Sequence, residues 1–123
     1  MSAYVVWIDG SQAKVFKMLP QKVESKVLRR KEIDHHTSND PNKHKDHGKF
    51  FHELASLVTD ASELLLVGPG KEKDHFKTHL DEHHHVQLAK KIVGVVPMDH
   101  PTDPQILAEA RKFFKVYDTL AQR

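Results

Sequence analysis

A short, uninterrupted apolar run near the start of the chain constrains the fold most. Residues Tyr4–Ile8 read Tyr-Val-Val-Trp-Ile, with no polar residue to mark a side that faces solvent. A strand with one solvated face would alternate polar and apolar residues, so this run is typical of a strand that is buried on both faces. We therefore expect a sheet that is covered on both sides, with Trp7 in the core.

The next two runs predict a three-stranded antiparallel start. Residues 9–12 (Asp-Gly-Ser-Gln) form a turn signal, because glycine accepts the backbone angles of a tight hairpin. Ala13–Leu19 then reads as a second strand, which Pro20 ends. Val23–Ile33 alternates at first and becomes charged at residues 29–32, as is typical of an exposed edge strand.

Helix and strand patterns alternate in the rest of the chain. They predict a helix from an N-cap at Asp46 that buries Phe50, Leu54, Leu57, Val58 and Ala61, followed by a strand over Glu63–Val67. A second helix over Lys71–His83 buries Phe76 and Leu80, and a strand over Lys91–Val96 follows it. The last helix has Asp103 as N-cap and Pro104 at its first position, and it buries Ile106, Ala110, Phe113, Tyr117 and Leu120.

The element order βββαβαβα calls for an α/β fold in which helices cover a mixed sheet. Right-handed crossovers place the fourth and fifth strands beside the first. We therefore predict a ribonuclease H-like five-stranded sheet of order 3-2-1-4-5 with helices on both faces. At 123 residues, the chain is expected to form a single domain over residues 1–123.

Composition excludes several classes of protein. The sequence contains no cysteine, so disulfides, thiolate metal ligands and cysteine nucleophiles are ruled out. Its apolar runs are far shorter than the roughly 20 residues that span a bilayer, and no signal segment precedes the first strand. We expect a soluble cytoplasmic protein without a membrane partner. The sequence has 19 Lys and Arg against 17 Asp and Glu, and this near balance does not indicate a nucleic-acid-binding protein. The eleven histidines are an unusually high number.

Three segments carry a family resemblance. They are the hairpin over residues 5–16 (Val-Val-Trp-Ile-Asp to Ala-Lys-Val-Phe), residues 64–70 (Leu-Leu-Leu-Val-Gly-Pro-Gly) followed by Lys73 and Phe76, and residues 91–96 (Lys-Ile-Val-Gly-Val-Val) before the last helix. In this order the chain resembles the middle domain of eukaryotic and archaeal peptide-chain release factors and of the ribosome-rescue factor Pelota. It is also similar to small bacterial translational machinery proteins. The resemblance implies a ribosome, ribosomal RNA or tRNA partner.

The departure from the release factors lies between the third strand and the first helix. The resemblance implies a Gly-Gly-Gln tripeptide there, which serves peptidyl-tRNA hydrolysis, but residues 35–48 read His-His-Thr-Ser-Asn-Asp-Pro-Asn-Lys-His-Lys-Asp-His-Gly, and Gly-Gly-Gln occurs nowhere. Pelota-like proteins also lack the tripeptide. We therefore expect a non-enzymatic protein that is associated with translation, in ribosome rescue, stress or hibernation.

This histidine-rich segment is the candidate RNA contact. Flexible basic loops adapt to folded RNA and contact its phosphates. The candidate residues are His35, His36, Lys43, His44, Lys45, His47 and Lys49. The alternative is a solvated loop without a partner, since no aromatic residue is interleaved to stack on bases.

A second histidine group lies on and just after the predicted helix over Lys71–His83, and it comprises His75, His79, His83, His84 and His85. His75, His79 and His83 follow one another at four-residue spacing, so they share one face of a helix and are candidate ligands for zinc, nickel or copper. The alternative is that helix surfaces simply tolerate exposed histidines, and we expect no cofactor. A different functional class remains open on these residues, namely a metal-responsive or pH-responsive oligomeric binding protein.

Two other patterns favour structural interpretations. A ribonuclease H-like nuclease needs converging carboxylates; Asp9 and Glu53 could supply two, but the fourth strand ends in residues 68–70 (Gly-Pro-Gly), without an acid. Asp9 is more simply a hairpin-turn residue. The Gly-Pro-Gly segment lacks the Gly-Lys-Ser/Thr ending of a phosphate loop, which favours a tight turn from strand to helix.

Overall fold

The computed structural model describes residues 2–30, 47–83 and 85–114. These residues form five strands and four helices. In chain order they are β1 (Ser2–Ile8), β2 (Gln12–Met18), β3 (Val23–Arg29), α1 (His47–Leu57), β4 (Ala61–Gly68), α2 (Glu72–Glu82), α3 (Val86–Ala89), β5 (Ile92–Pro97) and α4 (Asp103–Arg111).

The five strands form one mixed sheet in the order β3-β2-β1-β4-β5. β1 pairs antiparallel with β2 and parallel with β4, so that Val5 lies between Phe16 and Leu65. β3 pairs antiparallel with β2, and β5 pairs parallel with β4. All seven residues of β1 are buried, as a strand in the middle of a covered sheet requires. The predicted strand order and the central position of the first apolar run are confirmed.

Helices cover both faces of this sheet. α1, α2 and α3 pack on one face, where the buried residues from the helices and strands include Phe50, Leu54, Phe76, Leu80, Leu88, Tyr4, Val6, Ile8 and Leu66. α4 packs on the other face, against a smaller core of Val5, Trp7, Phe16, Met18, Leu65, Val67, Ile106, Ala110 and Phe114. Residues 5 to 8 thus alternate between two cores, which confirms the layered architecture and the burial of Trp7.

β3 is an edge strand among the described residues, and four of its seven residues in a row, Glu24 to Val27, are exposed. Only Leu28 is buried, and it joins the core beneath α1 and α2. This confirms the predicted exposed edge, although the strand ends at Arg29 and residues 31–33 lie outside the described part of the chain.

Several predicted boundaries differ from the structure. α1 ends at Leu57, and Ala61 is the first residue of β4 rather than part of the helix. β4 accordingly begins two residues before the predicted Glu63. The predicted N-cap of this helix, Asp46, lies outside the described residues. The short helix α3 was not predicted, because four residues carry too little periodicity to reveal a helix.

The last helix is capped by Thr102 and not by the predicted Asp103. The Thr102 hydroxyl accepts from the Gln105 backbone N–H at 3.3 Å, and the Gln105 side chain accepts from the Thr102 backbone N–H at 2.9 Å. This is a capping box, which satisfies two N–H groups at the helix start. Pro104 is consequently the second helical residue rather than the first.

The apolar stripe of this helix is partly as predicted. Ile106 and Ala110 are buried, but Phe114 is fully buried and Phe113 is only half-buried. Tyr117 and Leu120 lie outside the described residues. Across the described ranges, none of the helices has the length and apolar character needed to cross a membrane.

Candidate functional site

Most of the predicted RNA-contacting residues fall outside the described part of the chain. His35, His36, Lys43, His44 and Lys45 belong to residues 31–46, which connect β3 to α1. His47 is the first residue of α1, and Lys49 is exposed on the same helix. The structure therefore defines the two ends between which these candidates lie.

Arg30 anchors the first of these two ends. Its backbone N–H donates to the Ser11 carbonyl at 2.9 Å, and its Nε donates to the Gly10 carbonyl at 2.9 Å. Nη2 lies 3.0 Å from Oε2 of Glu72 on α2. The guanidinium also lies over the Phe50 ring of α1, 4.4 Å from its centroid. One planar cation thus joins the β1–β2 hairpin, α1 and α2 where the chain leaves β3.

This ion pair is well shielded from water. The side chains of Arg30 and Glu72 are 15% and 19% exposed, whereas the Lys22–Glu24 pair on the sheet edge is 66% and 53% exposed. Screening by solvent weakens exposed pairs most. The Arg30 contact therefore has a positioning role that the surface pair lacks.

The Gly-Pro-Gly segment is a turn between β4 and α2. Gly68 has a φ of 144°, and a Cβ there would lie 2.1 Å from the carbonyl oxygen of Ile8. Gly70 has a φ of 60° in the left-handed region. The Lys73 side chain is buried, with only 6% of the residue exposed, and its ammonium donates to the Gly70 carbonyl at 2.5 Å. The buried lysine closes the turn, which favours the structural interpretation.

The Asp9 carboxylate accepts hydrogen bonds within the hairpin between β1 and β2. Its Oδ1 accepts from the backbone N–H groups of Ser11 at 2.8 Å and Gln12 at 2.9 Å, and from the Ser11 hydroxyl at 3.1 Å. These bonds make it an Asx-turn residue. Glu53, the second carboxylate considered for a nuclease, is exposed on α1.

Four histidines form the most unusual group of side chains in the described structure. We call His52 of α1, His79 and His83 at the end of α2, and His85 before α3 the histidine cluster. The rings of His79 and His83 are stacked with centroids 4.3 Å apart. His85 lies 6.1 Å from His79 and 6.0 Å from His52, so the four rings are continuous.

His79 is the buried member of the histidine cluster. Only 7% of the residue is exposed, and its ring lies 5.5 Å from that of Phe51. Among the residues that the structure describes, none forms a hydrogen bond with its Nε2. Burial, followed by the neighbouring His83, His85 and His52, lowers the pKa of His79 from 6.5 to about 4. The imidazole is therefore neutral at physiological pH.

The predicted metal-ligand triad is only partly brought together. His79 and His83 are adjacent, but the His75 side chain is 55% exposed and its Nδ1 lies 3.4 Å from Oε1 of Glu72. Within the described ranges, no three His, Asp or Glu side chains are already placed to hold a metal ion. His85 belongs to the histidine group of the sequence but was not among the three predicted ligands. His52 was missed, because only the tertiary packing of α1 beside α2 brings it to this cluster.

An open cleft lies on the opposite face of the sheet, between the end of β5 and α4. Its walls include Met98, His100, Gln105, Glu109 and Lys112. Trp7 donates from Nε1 to the carbonyl of Met98, one of the lining residues, at 3.2 Å. The lining mixes charges of both signs, since Lys112 pairs with Glu109 at 3.3 Å and His100 with Asp99 at 3.1 Å.

Comparison with known proteins finds likeness only at the level of three-dimensional structure. No protein-family model matches the sequence, and no curated protein matches it. The fold is similar to Pelota of Archaeoglobus fulgidus (TM-score 0.65, 18% identity, 98% of this chain and 33% of that chain). It is also similar to the archaeal translation termination factor aRF1 (0.67, 16%, 98% and 37%).

A eukaryotic structure shows the same likeness. Dom34 of Saccharomyces cerevisiae, described as a translation termination-like factor involved in RNA quality control, matches with a TM-score of 0.57 at 14% identity over 98% of this chain and 34% of that chain. The present chain thus spans about a third of the length of these structures. At such low identity the comparison establishes the fold, which is that of a Pelota-like domain.

Proposed function

We propose that this chain is a non-catalytic, translation-associated domain that binds the ribosome through ribosomal RNA or tRNA. One observation carries the proposal: 98% of the chain matches one part of Pelota and of an archaeal translation termination factor. Because a fold hosts more than one function, the likeness alone does not assign one. The side chains of this sequence supply the rest of the argument.

Both the sequence and the turn geometry favour a domain without hydrolytic chemistry. The 123 residues contain no Gly-Gly-Gln, the tripeptide that the release-factor resemblance would require between β3 and α1. Asp9, the best-placed carboxylate for metal-assisted cleavage, accepts three hydrogen bonds within its own hairpin. A domain with these residues is suited to binding rather than to catalysis.

The RNA contact is proposed for residues 35–49. This stretch holds three lysines, Lys43, Lys45 and Lys49, besides four histidines. Arg30 fixes the chain at one side of it, and α1 fixes the other side through the buried Phe50 and Phe51. Contacts between lysine side chains and phosphates are how such a segment would gain affinity for RNA.

A mobility-shift titration with purified ribosomal RNA at several salt concentrations tests the proposal. Changing Lys43, Lys45 and Lys49 together to Gln removes three phosphate contacts. We expect weaker binding and a salt dependence whose logarithmic slope falls by about 2, since each contact to single-stranded RNA contributes about 0.7.

The matched control removes the same charge elsewhere. Lys77, Lys90 and Lys91 are exposed on α2 and beside α3, and changing them to Gln should leave the slope unchanged. Equal effects of the two triple variants would mean that only net charge matters. Salt-insensitive binding, or none, would refute an RNA contact at this segment.

One observation also favours the second functional class, a metal-responsive or pH-responsive binding protein. In the described part of the chain, a buried imidazole nitrogen without a hydrogen-bond partner sits among three further histidines. A metal-responsive or pH-responsive binding protein would use this group and would not comigrate with ribosomes. Its oligomeric state would instead change with zinc or with pH.

A further inference from the structure

We propose that the histidine cluster binds one divalent transition-metal ion of the zinc, nickel and copper class, with His79 Nε2 and His83 as the first two ligands and His85 as the third. The proposed site differs from the triad expected from sequence, because His75 is replaced by a residue from beyond the end of α2. It does not depend on ribosome binding, and either proposal can fail without the other.

The starting point is Nε2 of His79. Within the described residues this atom is buried and makes no hydrogen bond. Buried polar atoms in folded proteins are nearly always paired, and an ion is one of the groups that account for an exception. Imidazole nitrogen is a good ligand for zinc, nickel and copper. Whether such an ion can be the missing partner of this nitrogen depends on the side chains around it.

The surroundings are three more imidazoles. His83 is four residues after His79, a spacing at which side chains on a helix are neighbours, and the two rings are 4.3 Å apart. His85 is 6.1 Å away, and His52 is 6.0 Å beyond it. Within the described ranges no three His, Cys, Asp or Glu side chains, these histidines included, are already placed to hold an ion, so side-chain rotation would have to complete the ligand set. The donors are all nitrogen, which favours late transition metals over magnesium or calcium.

Rotation of the exposed histidine side chains would allow the ligands to converge on one ion. His79 is held in place by burial beside Phe51, whereas His83 and His52 are exposed and His85 is half-buried. The three outer side chains can therefore change rotamer at little cost, while the inner one stays fixed. An ion on Nε2 of His79 would bind His83 after the exposed His83 ring turns out of the stack, because the nitrogen lone pairs of two stacked rings lie in nearly parallel planes. His85 would follow as the third ligand.

Calorimetric titration of the full chain with zinc chloride at neutral pH tests the site. We expect one tight equivalent, and at least about a tenfold loss of affinity in His83→Ala and in His85→Ala, since even residues that only support a metal ligand contribute this much. The His75→Ala variant should bind as the parent does. Both test positions are solvent-accessible, so the folded state should survive either change.

Two further measurements separate this site from the histidines between β3 and α1. A variant with His35, His36 and His44 changed to Ala should retain the tight equivalent. In nuclear magnetic resonance spectra of the imidazole nitrogens, zinc should shift Nε2 of His79. The proposal is overturned if the tight equivalent disappears with the His35, His36 and His44 changes but survives His83→Ala, or if the parent chain takes up no zinc.

Discussion

Gly68 is the residue whose identity the backbone constrains most severely. Its φ of 144° is one that side-chain-bearing residues rarely adopt, and an added methyl group would meet the Ile8 carbonyl oxygen at 2.1 Å. The contact is with the backbone of the central strand, which cannot move away without disturbing the sheet. The glycine is therefore required by the approach of β4 to β1.

A series of three glycine substitutions tests this requirement. Gly68→Ala should lower the free energy of unfolding by about 3 kcal/mol or more, because overpacking and backbone strain add. Gly70→Ala, at a φ of 60° with open space around it, should cost about 1 kcal/mol. Gly10→Ala, in open space, is the control and should be nearly neutral. Urea denaturation measures all three, and equal losses at positions 68 and 10 would contradict the account.

The free energy of unfolding is expected to depend on pH through His79. Its pKa is lowered from 6.5 to about 4 in the folded chain, so the unfolded chain binds this proton first as the pH falls. The stability that the neutral ring contributes is fully present above pH 6.5 and is lost as the pH falls towards 4. A difference of about 2.5 pKa units corresponds to about 3 kcal/mol.

Denaturation across this pH window gives the test. The parent chain should lose about 2 to 3 kcal/mol more than His79→Leu between pH 6.5 and 4. Thr78→Ala provides the control, since Thr78 is exposed on the same helix and carries no ionisable group, so its replacement should leave the pH profile as it is. A His79→Leu profile as steep as that of the parent would show that His79 is not the responsible group.

The histidine cluster also shows what sequence could predict at this scale. A helix advances about 100° per residue, so His79 and His83 are close, but His75 and His83 diverge by about 80° and do not share a site. His52 and His85 are 33 residues apart in the sequence and meet only because α1 packs beside α2. The sequence therefore indicated His79, His83 and the nearby His85, but no local pattern could have found His52.

At the scale of elements, the Arg30–Glu72 pair decides how β3, α1 and α2 meet. Removing one partner takes away an ion pair that is shielded from water. We expect a double-mutant cycle of Arg30→Gln and Glu72→Gln to give a coupling energy of about 1 to 3 kcal/mol. The cycle of Lys22→Gln and Glu24→Gln on the exposed edge should give about 0.5 kcal/mol or less.

A second substitution at position 30 serves as the control for the Arg30–Glu72 double-mutant cycle. Arg30→Lys keeps the charge but not the planar group that lies over Phe50 and donates to Gly10, so it should restore only part of the lost stability. Full restoration by lysine would show that charge alone sets the contact. Chemical denaturation provides the energies for every variant.

Element order was predictable here, but element boundaries were less so. The continuous apolar run in β1 and the alternation that follows identify the sheet, and the handedness of βα crossovers fixes its order. The start of α4 was misplaced because Thr102, Asp103 and Pro104 all favour helix starts, and the capping box with Gln105 decides among them. Phe114 was missed because the helix ends at Arg111, after which helical spacing no longer applies.

At the scale of the whole molecule, two cores hold the sheet from opposite sides. β1 contributes to both, and each is closed by its own helices. Such a scaffold tolerates many substitutions that preserve buried volume and pattern, so the same fold can be encoded at only 14–18% identity to Pelota, aRF1 and Dom34.

Ribosome association is the claim on which this account depends most. We propose to sediment purified ribosomes with the full chain at low salt and to compare it with the two triple lysine variants. The account predicts that the parent chain and the control with Lys77, Lys90 and Lys91 changed to Gln comigrate with ribosomes. The variant with Lys43, Lys45 and Lys49 changed to Gln should remain in the supernatant. A parent chain that stays in the supernatant at every ribosome concentration would contradict the account.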